Sequence, residues 1–317
     1  MADSPLVSVI IPTRDRAAMV SRAVRSALRQ THEELEIVVV DDCSATPLAL
    51  EADLAADPRV RTLRLAEPSG AAEARNAGVR VSRGDLIAFL DDDDEWRATK
   101  IERQLVVLAR HGDGVDAVET GYDLWKGGRL LVRYLPQPSR DLRTALLAKP
   151  CLQPSTVLLR RSAFEELGGF DRRLTRVEDW DLWIRFADRH QAAALPEVLV
   201  DREESDPDPA EILRWNREMV RRLEARIEAL PPAARSRTRR AHLLVEAELL
   251  ARLGEGRESR ARALQAWREQ PRDWRQPALA MIRSTIGERA WAVGKLCLRT
   301  AVYPVVRALG KDPLLRR

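Results

Sequence analysis

The stretch Leu86-Ile87-Ala88-Phe89-Leu90-Asp91-Asp92-Asp93-Asp94-Glu95-Trp96 joins an apolar strand directly to five acids. Adjacent like charges repel, so a strand end that crowds them calls for a compensating partner. Carboxylates one residue apart at the C-terminal end of a strand converge on a divalent cation. Hard oxygen ligands suit Mg²⁺ or Mn²⁺, with phosphate completing the shell, and a nucleoside diphosphate is the ligand this implies. The competing reading is an exposed acidic turn capping a helix that begins near Arg97, where acids complement the helix dipole.

Upstream of the run, short β-rich segments alternate with helical patterns: strands at 6–11, 35–40 and 60–65, with helices at about 17–30 and 47–56. Such alternation predicts βαβ units on a parallel sheet. A further helix is expected over 70–81 with Ser69 at its N-cap, feeding a strand at 85–90 that delivers the acids. The C-terminal strand ends carry Pro12-Thr13-Arg14, Asp41-Asp42, Ala66-Glu67 and Asp91 to Asp94. In open α/β sheets ligands bind outside that edge.

Beyond Trp96 the alternation loosens. The pattern predicts a helix at 97–110, strands at 115–122, 130–134 and 156–160, a Gly127-Gly128 turn, a short helix ended by Gly168-Gly169-Phe170-Asp171, and a Trp-rich helix over 177–189. Asp206-Pro207-Asp208-Pro209 reads as a linker, because each residue before a proline is biased away from helix. From Ala210 onward the pattern is helical. Ile212, Trp215, Met219, Leu223 and Ile227 form one stripe, Pro231-Pro232 breaks it, and segments 241–254 and 258–270 resemble one tetratricopeptide-like helix–turn–helix. The division expected is a domain over 1–205 and a helical region over 206–317.

Charge divides along the same line. Residues 1–200 hold 28 Lys+Arg against 32 Asp+Glu, and residues 201–317 hold 25 against 17, so the overall +4 hides a basic C-terminal part. A solvated face is the usual meaning of such an excess; nucleic acid or an anionic membrane is the other. Cys43, Cys151 and Cys297 lack CxxC or His-associated spacing, so neither a disulfide framework nor a zinc site is suggested, and a reducing, cytoplasmic compartment is expected. Neither a signal peptide nor a membrane span is expected. His32, His111, His190 and His242 are scattered, and no GxGxxG after a strand, GxSxG or GxxxxGK[ST] occurs, so dehydrogenase, serine hydrolase and P-loop readings lack support.

Six strings follow one family in order and spacing: Val7 to Arg14, Val39-Val40-Asp41-Asp42-Cys43-Ser44, Ala74-Arg75-Asn76-Ala77-Gly78, Phe89 to Trp96, Gly168 to Asp171, and Glu178-Asp179-Trp180-Asp181-Leu182-Trp183. Over about residues 5–200 the chain resembles the inverting family 2 glycosyltransferases of GT-A fold, a Rossmann-like, mostly parallel sheet flanked by helices. The all-helical C-terminal appendage contributes nothing to the likeness.

The resemblance implies a hexosyltransferase acting on a nucleoside-diphosphate sugar and a glycan or lipid-linked acceptor, with no nucleic acid beyond the donor nucleotide. It implies that the loop Pro12-Thr13-Arg14 wraps base and ribose and that Asp42 accepts from the base, the alternative for Asp42 being an Asx-turn with Ser44. Arg75 is expected either on the diphosphate or in a helix-surface salt bridge. Family spacing assigns the metal to Asp91 and Asp93 and the sugar moiety to Asp92, with Asp94 as a helix cap. Asp179 matches the catalytic base, with Asp181 and Asp171 as the next candidates. Trp180 and Trp183 stack on a sugar or fill the core.

The chain has Asp181-Leu182-Trp183-Ile184-Arg185 where processive synthases carry QxxRW, so single-sugar transfer is expected. Two rivals remain, a nucleotidyltransferase and a non-catalytic nucleotide-sugar-binding protein. The tail over 277–317 is rich in Arg and Lys around an interrupted apolar stripe. It reads either as a packed helix with a solvated basic face or as a stripe lying in an anionic membrane interface, which would place the protein at the inner face of the membrane.

Overall fold

The computed structural model describes residues 4–138, 141–204, 208–271 and 280. It divides into two compact units, Met1–Asp206 and Pro207–Arg317.

In the first unit β1 (Val7–Thr13) and β2 (Leu35–Asp41) are buried at every position, as strands covered on both faces must be. Between them runs α1 (Ala17–Leu28), whose buried side carries Val20, Ala23, Val24 and Ala27. After β2 comes α2 (Ala52–Ala55), much shorter than the helix expected over 47–56. The reason is local: Leu48 N donates to Asp41 Oδ2 at 3.2 Å, which ties the start of that segment to the strand end. Next come β3 (Val60–Arg64), the half-exposed edge, and α3 (Gly70–Val81). Gly78 lets α3 lie close on the sheet, since a Cβ there would sit 2.4 Å from Ile10 Cγ2. Then β4 (Leu86–Phe89) pairs in parallel with β1, Ile10 opposite Phe89.

The acidic run leads to β5 (Glu95–Trp96), then α4 (Lys100–His111). The helix expected from Arg97 therefore starts three residues later, because Glu95 and Trp96 are drawn into pairing with Asp201 and Val200. The second half contains β6 (Ala117–Lys126), β7 (Arg129–Tyr134), α5 (Leu142–Ala148), β8 (Val157–Arg160), α6 (Arg161–Glu166), α7 (Glu178–Arg189) and β9 (Ala192–Glu203). Among the described residues nine strands form one sheet in the order β3-β2-β1-β4-β8-β6-β9-β5, with β7 pairing β6. The β3-β2-β1-β4 half is parallel. In the other half β8 is antiparallel to β4 and β6, while β9 is parallel to β6.

Neither β9 nor α5 stands out in the sequence. The strand opens Ala192-Ala193-Ala194, contains Pro196, and is paired to β6 through register shifts at Gly121, so its residues show no clean alternation.

In the second unit α8 (Pro209–Glu228) starts from Asp208, whose carboxylate accepts from Ala210 N at 2.9 Å, with Pro209 in the first helical position. Residues 206 and 207 of the expected linker lie outside the described residues. Pro232 likewise opens α9 (Pro232–Arg252), which begins well before the expected residue 241, and Gly254 at φ +80° ends it. α10 (Gly256–Glu269) turns back along α9, Ser259 Oγ donating to Ala247 O at 2.7 Å. Glu246 on α9 receives Arg217 from α8 and Arg262 from α10, each at 2.7 Å, and Leu213, Leu249 and Leu250 form the small core. No helix among the described residues is long and apolar enough to cross a membrane. The basic tail over 277–317 lies outside the described residues apart from Ala280.

Candidate active site

The parallel strands end at one edge of the sheet, and there the acids collect. β1 runs through Pro12 and Thr13, which pair with Val40 and Asp41, so the loop begins only at Arg14, later than the sequence suggested. That loop is held by Asp15 at φ +56°, whose carboxylate accepts from Ala45 N at 2.7 Å and whose own N–H donates to Ser44 Oγ at 2.9 Å. Arg14 is half exposed.

Asp42 is buried at the end of β2. Its two oxygens accept from Ser69 N at 2.7 Å and Gly70 N at 2.9 Å, the unsatisfied donors at the start of α3. Ser69 stands at the N-cap position of α3 as expected, although its own side chain makes no capping bond. The side-chain bond to Ser44 considered for Asp42 is made instead by Asp41, which accepts from Ser44 N at 2.8 Å and pairs with Arg64. Burial pushes the Asp41 carboxyl up, but the bonds from Ser44, Leu48 and Arg64 outweigh it and leave it below its ordinary range.

The four aspartates after β4 occupy a turn between two strands, not a helix cap. Asp91 N donates to Ser155 Oγ at 3.1 Å, and Asp91 Oδ1 accepts from Arg75 at 2.7 Å. Asp92 is buried, accepting from Thr13 Oγ1 at 2.6 Å and Arg16 at 3.1 Å. Asp93 shares Arg16 at 3.2 Å and faces a cleft of about 530 Å³, whose walls include Arg97, Trp125, Gly128 and Arg202. Burial raises the carboxyls of Asp92 and Asp93, helped at Asp93 by the charge of Asp91. Asp94, expected as a cap for the next helix, is instead fully buried against Arg202 at 3.2 Å, and its burial pushes it up to about 7. The cap position of α4 is Thr99.

Arg75 is the hub of the site. The salt bridge at the helix surface considered for it is not what forms: its side chain is 7 % exposed and spans Asp91 at 2.7 Å and Glu178 at 2.8 Å. Its guanidinium also lies 5.3 Å from the Phe170 ring centroid. The neighbouring Asn76 clamps the Gly168-Gly169-Phe170 turn, donating to Phe170 O and accepting from Phe170 N, both at 2.9 Å. Gly169, at φ +72°, has to be glycine because a Cβ would sit 2.6 Å from Asn76 Oδ1. Four sequence strings thus become one contact network.

Asp179 follows at the start of α7, after Val177, a β-branched residue held at φ +59°. Such backbone is costly and persists where the surroundings enforce it. The Asp179 carboxylate accepts from Trp180 N at 2.7 Å. Burial and the adjacent Glu178 push it up to about 7, against the pull of Arg75. The fallback candidates are engaged locally: Asp181 pairs with Arg185 and Asp171 with Arg173. Trp180 and Trp183 are both core, Trp180 Nε1 donating to Leu146 O at 2.6 Å, so neither is available to stack on a sugar.

Arg16, Ser155, Glu178 and Arg202 complete the site and were not singled out by sequence reasoning. Arg16 had a signal, standing two residues after Arg14 in the same loop. Arg202 had none, because β9 itself was not legible.

The donor set fits a small divalent cation. Arg75 takes Asp91 Oδ1 and Arg16 takes Asp93 Oδ2, leaving Asp91 Oδ2 and Asp93 Oδ1 outside these ion pairs, on side chains 22 % and 26 % exposed. Among the described residues no group of three or more His, Cys, Asp or Glu is placed to hold a metal ion by itself. Two carboxylates with open positions match an ion that keeps waters and substrate phosphates.

The model of glycosyl transferase family 2 matches residues 8–168. A 193-residue stretch is 28 % identical to UDP-Glc:alpha-D-GlcNAc-diphosphoundecaprenol beta-1,3-glucosyltransferase WfgD of Escherichia coli, covering 61 % of this chain and 74 % of that one. The chain spans 61 % and 63 % of the length of two other curated relatives that it matches. Among solved structures, TarS 1-349 of S. aureus in complex with UDP-GlcNAc superposes with a TM-score of 0.58 at 16 % identity, over 87 % of this chain and 90 % of that one. Mannosyltransferase PcManGT from Pyrobaculum calidifontis, in complex with GDP-Man and Mn²⁺, gives 0.56 at 20 % identity, over 90 % and 87 %. With its parallel half-sheet, its acidic strand end and a family match over half its length, the chain belongs to glycosyl transferase family 2 and has the GT-A fold.

Proposed function

We propose that this protein transfers one sugar, with inversion, from a uridine or thymidine diphosphate sugar to a hydroxyl of a glycan or lipid-linked acceptor. The observation that carries this reading is the Arg75 hub, which gathers Asp91, Glu178 and Asp179 around one guanidinium at the sheet edge. A base and a diphosphate site must lie side by side for such a reaction.

In the proposed reaction Asp179 removes the acceptor hydroxyl's proton as that oxygen attacks the anomeric carbon. The bond from that carbon to the diphosphate breaks on the opposite face. A carboxyl near 7 is matched to this task at neutral pH. Arg75 holds Asp91 in place and sets the field at Asp179. A divalent cation held by Asp91 and Asp93 would supply positive charge to the departing diphosphate. Asp92, fixed by Thr13 and Arg16, is assigned to the sugar moiety, and Asp42 to the base. Two bonds already fall on Asp42, and an ionised carboxylate has about four acceptor sites. The names of WfgD, with its UDP-Glc donor and diphosphoundecaprenol acceptor, and of the TarS complex with UDP-GlcNAc support the donor class and a lipid-linked acceptor.

A nucleotidyltransferase normally opens with a Gly-rich loop, which Ile11-Pro12-Thr13-Arg14 does not supply. The test is release of free nucleoside diphosphate from donor sugars with Mn²⁺. Asp179→Asn keeps shape but accepts no proton, so release is expected to fall by roughly 10²-fold or more while calorimetry shows donor binding intact. Full turnover by this variant would remove Asp179 as the base. Donor binding without any release by the wild type would favour the binding-protein reading.

A further inference from the structure

The hairpin of β6 and β7 presents an apolar ribbon that nothing among the described residues covers. Leu130, Leu131 and Val132 are 40 %, 41 % and 50 % exposed, and Leu135 just beyond is 46 % exposed. They are consecutive in an extended strand, so they project from both faces of the ribbon. β7 pairs only with β6, and its outer edge meets no strand among the described residues. Proteins usually blunt such an edge with charges, proline or a cover. This one is aliphatic at its centre.

The charges on the hairpin segment itself are of one sign. From Trp125 to Pro138 there is no Asp or Glu, while Lys126, Arg129 and Arg133 are cationic. Arg133 is held by Asp123, both bonds at 2.8 Å, which braces the ribbon's base together with the stacked Tyr122 and Tyr134 rings at 5.1 Å. The nearest acids on β9 bond to the hairpin itself: Asp201 accepts from Trp125 Nε1 at 3.0 Å and the exposed Glu203 from Gly127 N at 2.9 Å. The ribbon is thus braced at its base, carries Lys126 and Arg129 at its tip beside Glu203, and is apolar on both sides.

We infer that the β6–β7 hairpin docks this protein on a bilayer surface bearing anionic headgroups, dipping Leu130, Leu131 and Val132 into the interface. A protein groove covers one face of a ribbon, whereas immersion in the acyl boundary covers both. A second copy of this chain would bring the same cations to the contact, while anionic headgroups neutralise them. Water and headgroups at that depth also satisfy the open edge of β7, which the hydrocarbon core would not. Trp125 and Gly128 of the hairpin line the cleft that Asp93 faces, so docking would bring the mouth of the site against the lipid surface.

The inference does not depend on the sugar-transfer reading, because its test uses neither donor nor turnover. Full-length wild type is sedimented with vesicles of pure phosphatidylcholine and with vesicles containing phosphatidylglycerol. The neutral double change Leu131→Ser with Val132→Ser is expected to lower partition about tenfold on both. Arg129→Gln is expected to lower it about fivefold on the anionic vesicles alone. Leu253→Ser, at an exposed leucine of the second unit, is the control and should change nothing. Unaltered thermal unfolding of each variant keeps the comparison on binding. Equal partition of wild type and both hairpin variants would overturn the proposal. So would vesicle-independent dimers, seen by analytical ultracentrifugation, that the double change dissolves.

Discussion

Two strand ends of this sheet carry adjacent aspartates and use them in opposite ways. At the end of β2, Asp41 and Asp42 are met by backbone N–H groups of Ser44, Leu48, Ser69 and Gly70 and by Arg64. Their charge is spent on closing loops and starting α3. At the end of β4, Asp91 to Asp94 crowd one turn, and three of them are raised by burial. The difference lies in the supply of donors. A turn leading into a helix offers free N–H groups, whereas the turn from β4 into β5 offers few, so its acids draw on Arg16, Arg75 and Arg202 from distant elements. An acidic strand end that must recruit arginines is one where an added cation has something to replace.

The largest effect that would sharpen this contrast is expected at Arg75. Arg75→Met leaves Asp91 and Glu178 without their shared cation in a buried place, and should cost about 3–5 kcal/mol in urea unfolding. A loss below about 1 kcal/mol, the worth of an exposed pair, would mean the hub is solvated. Asp93→Ala comes next: Mn²⁺-dependent donor binding, followed by calorimetry, is expected to fall by on the order of 10²-fold, since a small cation cannot replace a lost carboxylate without reopening its shell. Unchanged metal-dependent binding would erase the distinction between the two strand ends. Asp42→Ala should act on stability without metal, lowering it by about 1–2 kcal/mol through loss of the capping bonds at α3.

The remaining effect is the pH slope. Asp94 and Asp179 have folded values of about 7 against an ordinary 3.8, so the folded state holds their protons more tightly. Their contribution to stability therefore rises as pH falls from about 7 towards 3.8, and is lost as pH climbs back through 7. Asp41 and Glu36, both held below their ordinary values, act with the opposite sign and withdraw stability only at more acid pH. Denaturant titrations of wild type and Asp179→Asn between pH 5 and 8 should show a shallower decline in the variant. Parallel curves would mean that Asp179 does not titrate in that window.

Much of this was legible in the sequence because its cause is local. The short β-rich runs and helical patterns up to Leu90 place β1 to β4 and α3, since a parallel sheet covered on both faces demands continuous apolar strands. The acidic run declares itself by its charge density, and Gly78, Gly169 and Asn76 belong to strings whose order already suggested a family. What the sequence did not hold is every contact whose partner is far along the chain. β9 is recruited by β6 and β5, not by its own propensity, and with it come Arg202 and the burial of Asp94. The exchange of roles between Asp41 and Asp42 follows from which of two neighbouring carboxylates faces the start of α3, and one residue along a strand reverses the side a carboxylate faces. Residue types fix which chemistry is available; only tertiary packing decides which carboxylates are consumed by backbone donors and which are left, crowded and raised, at the open edge.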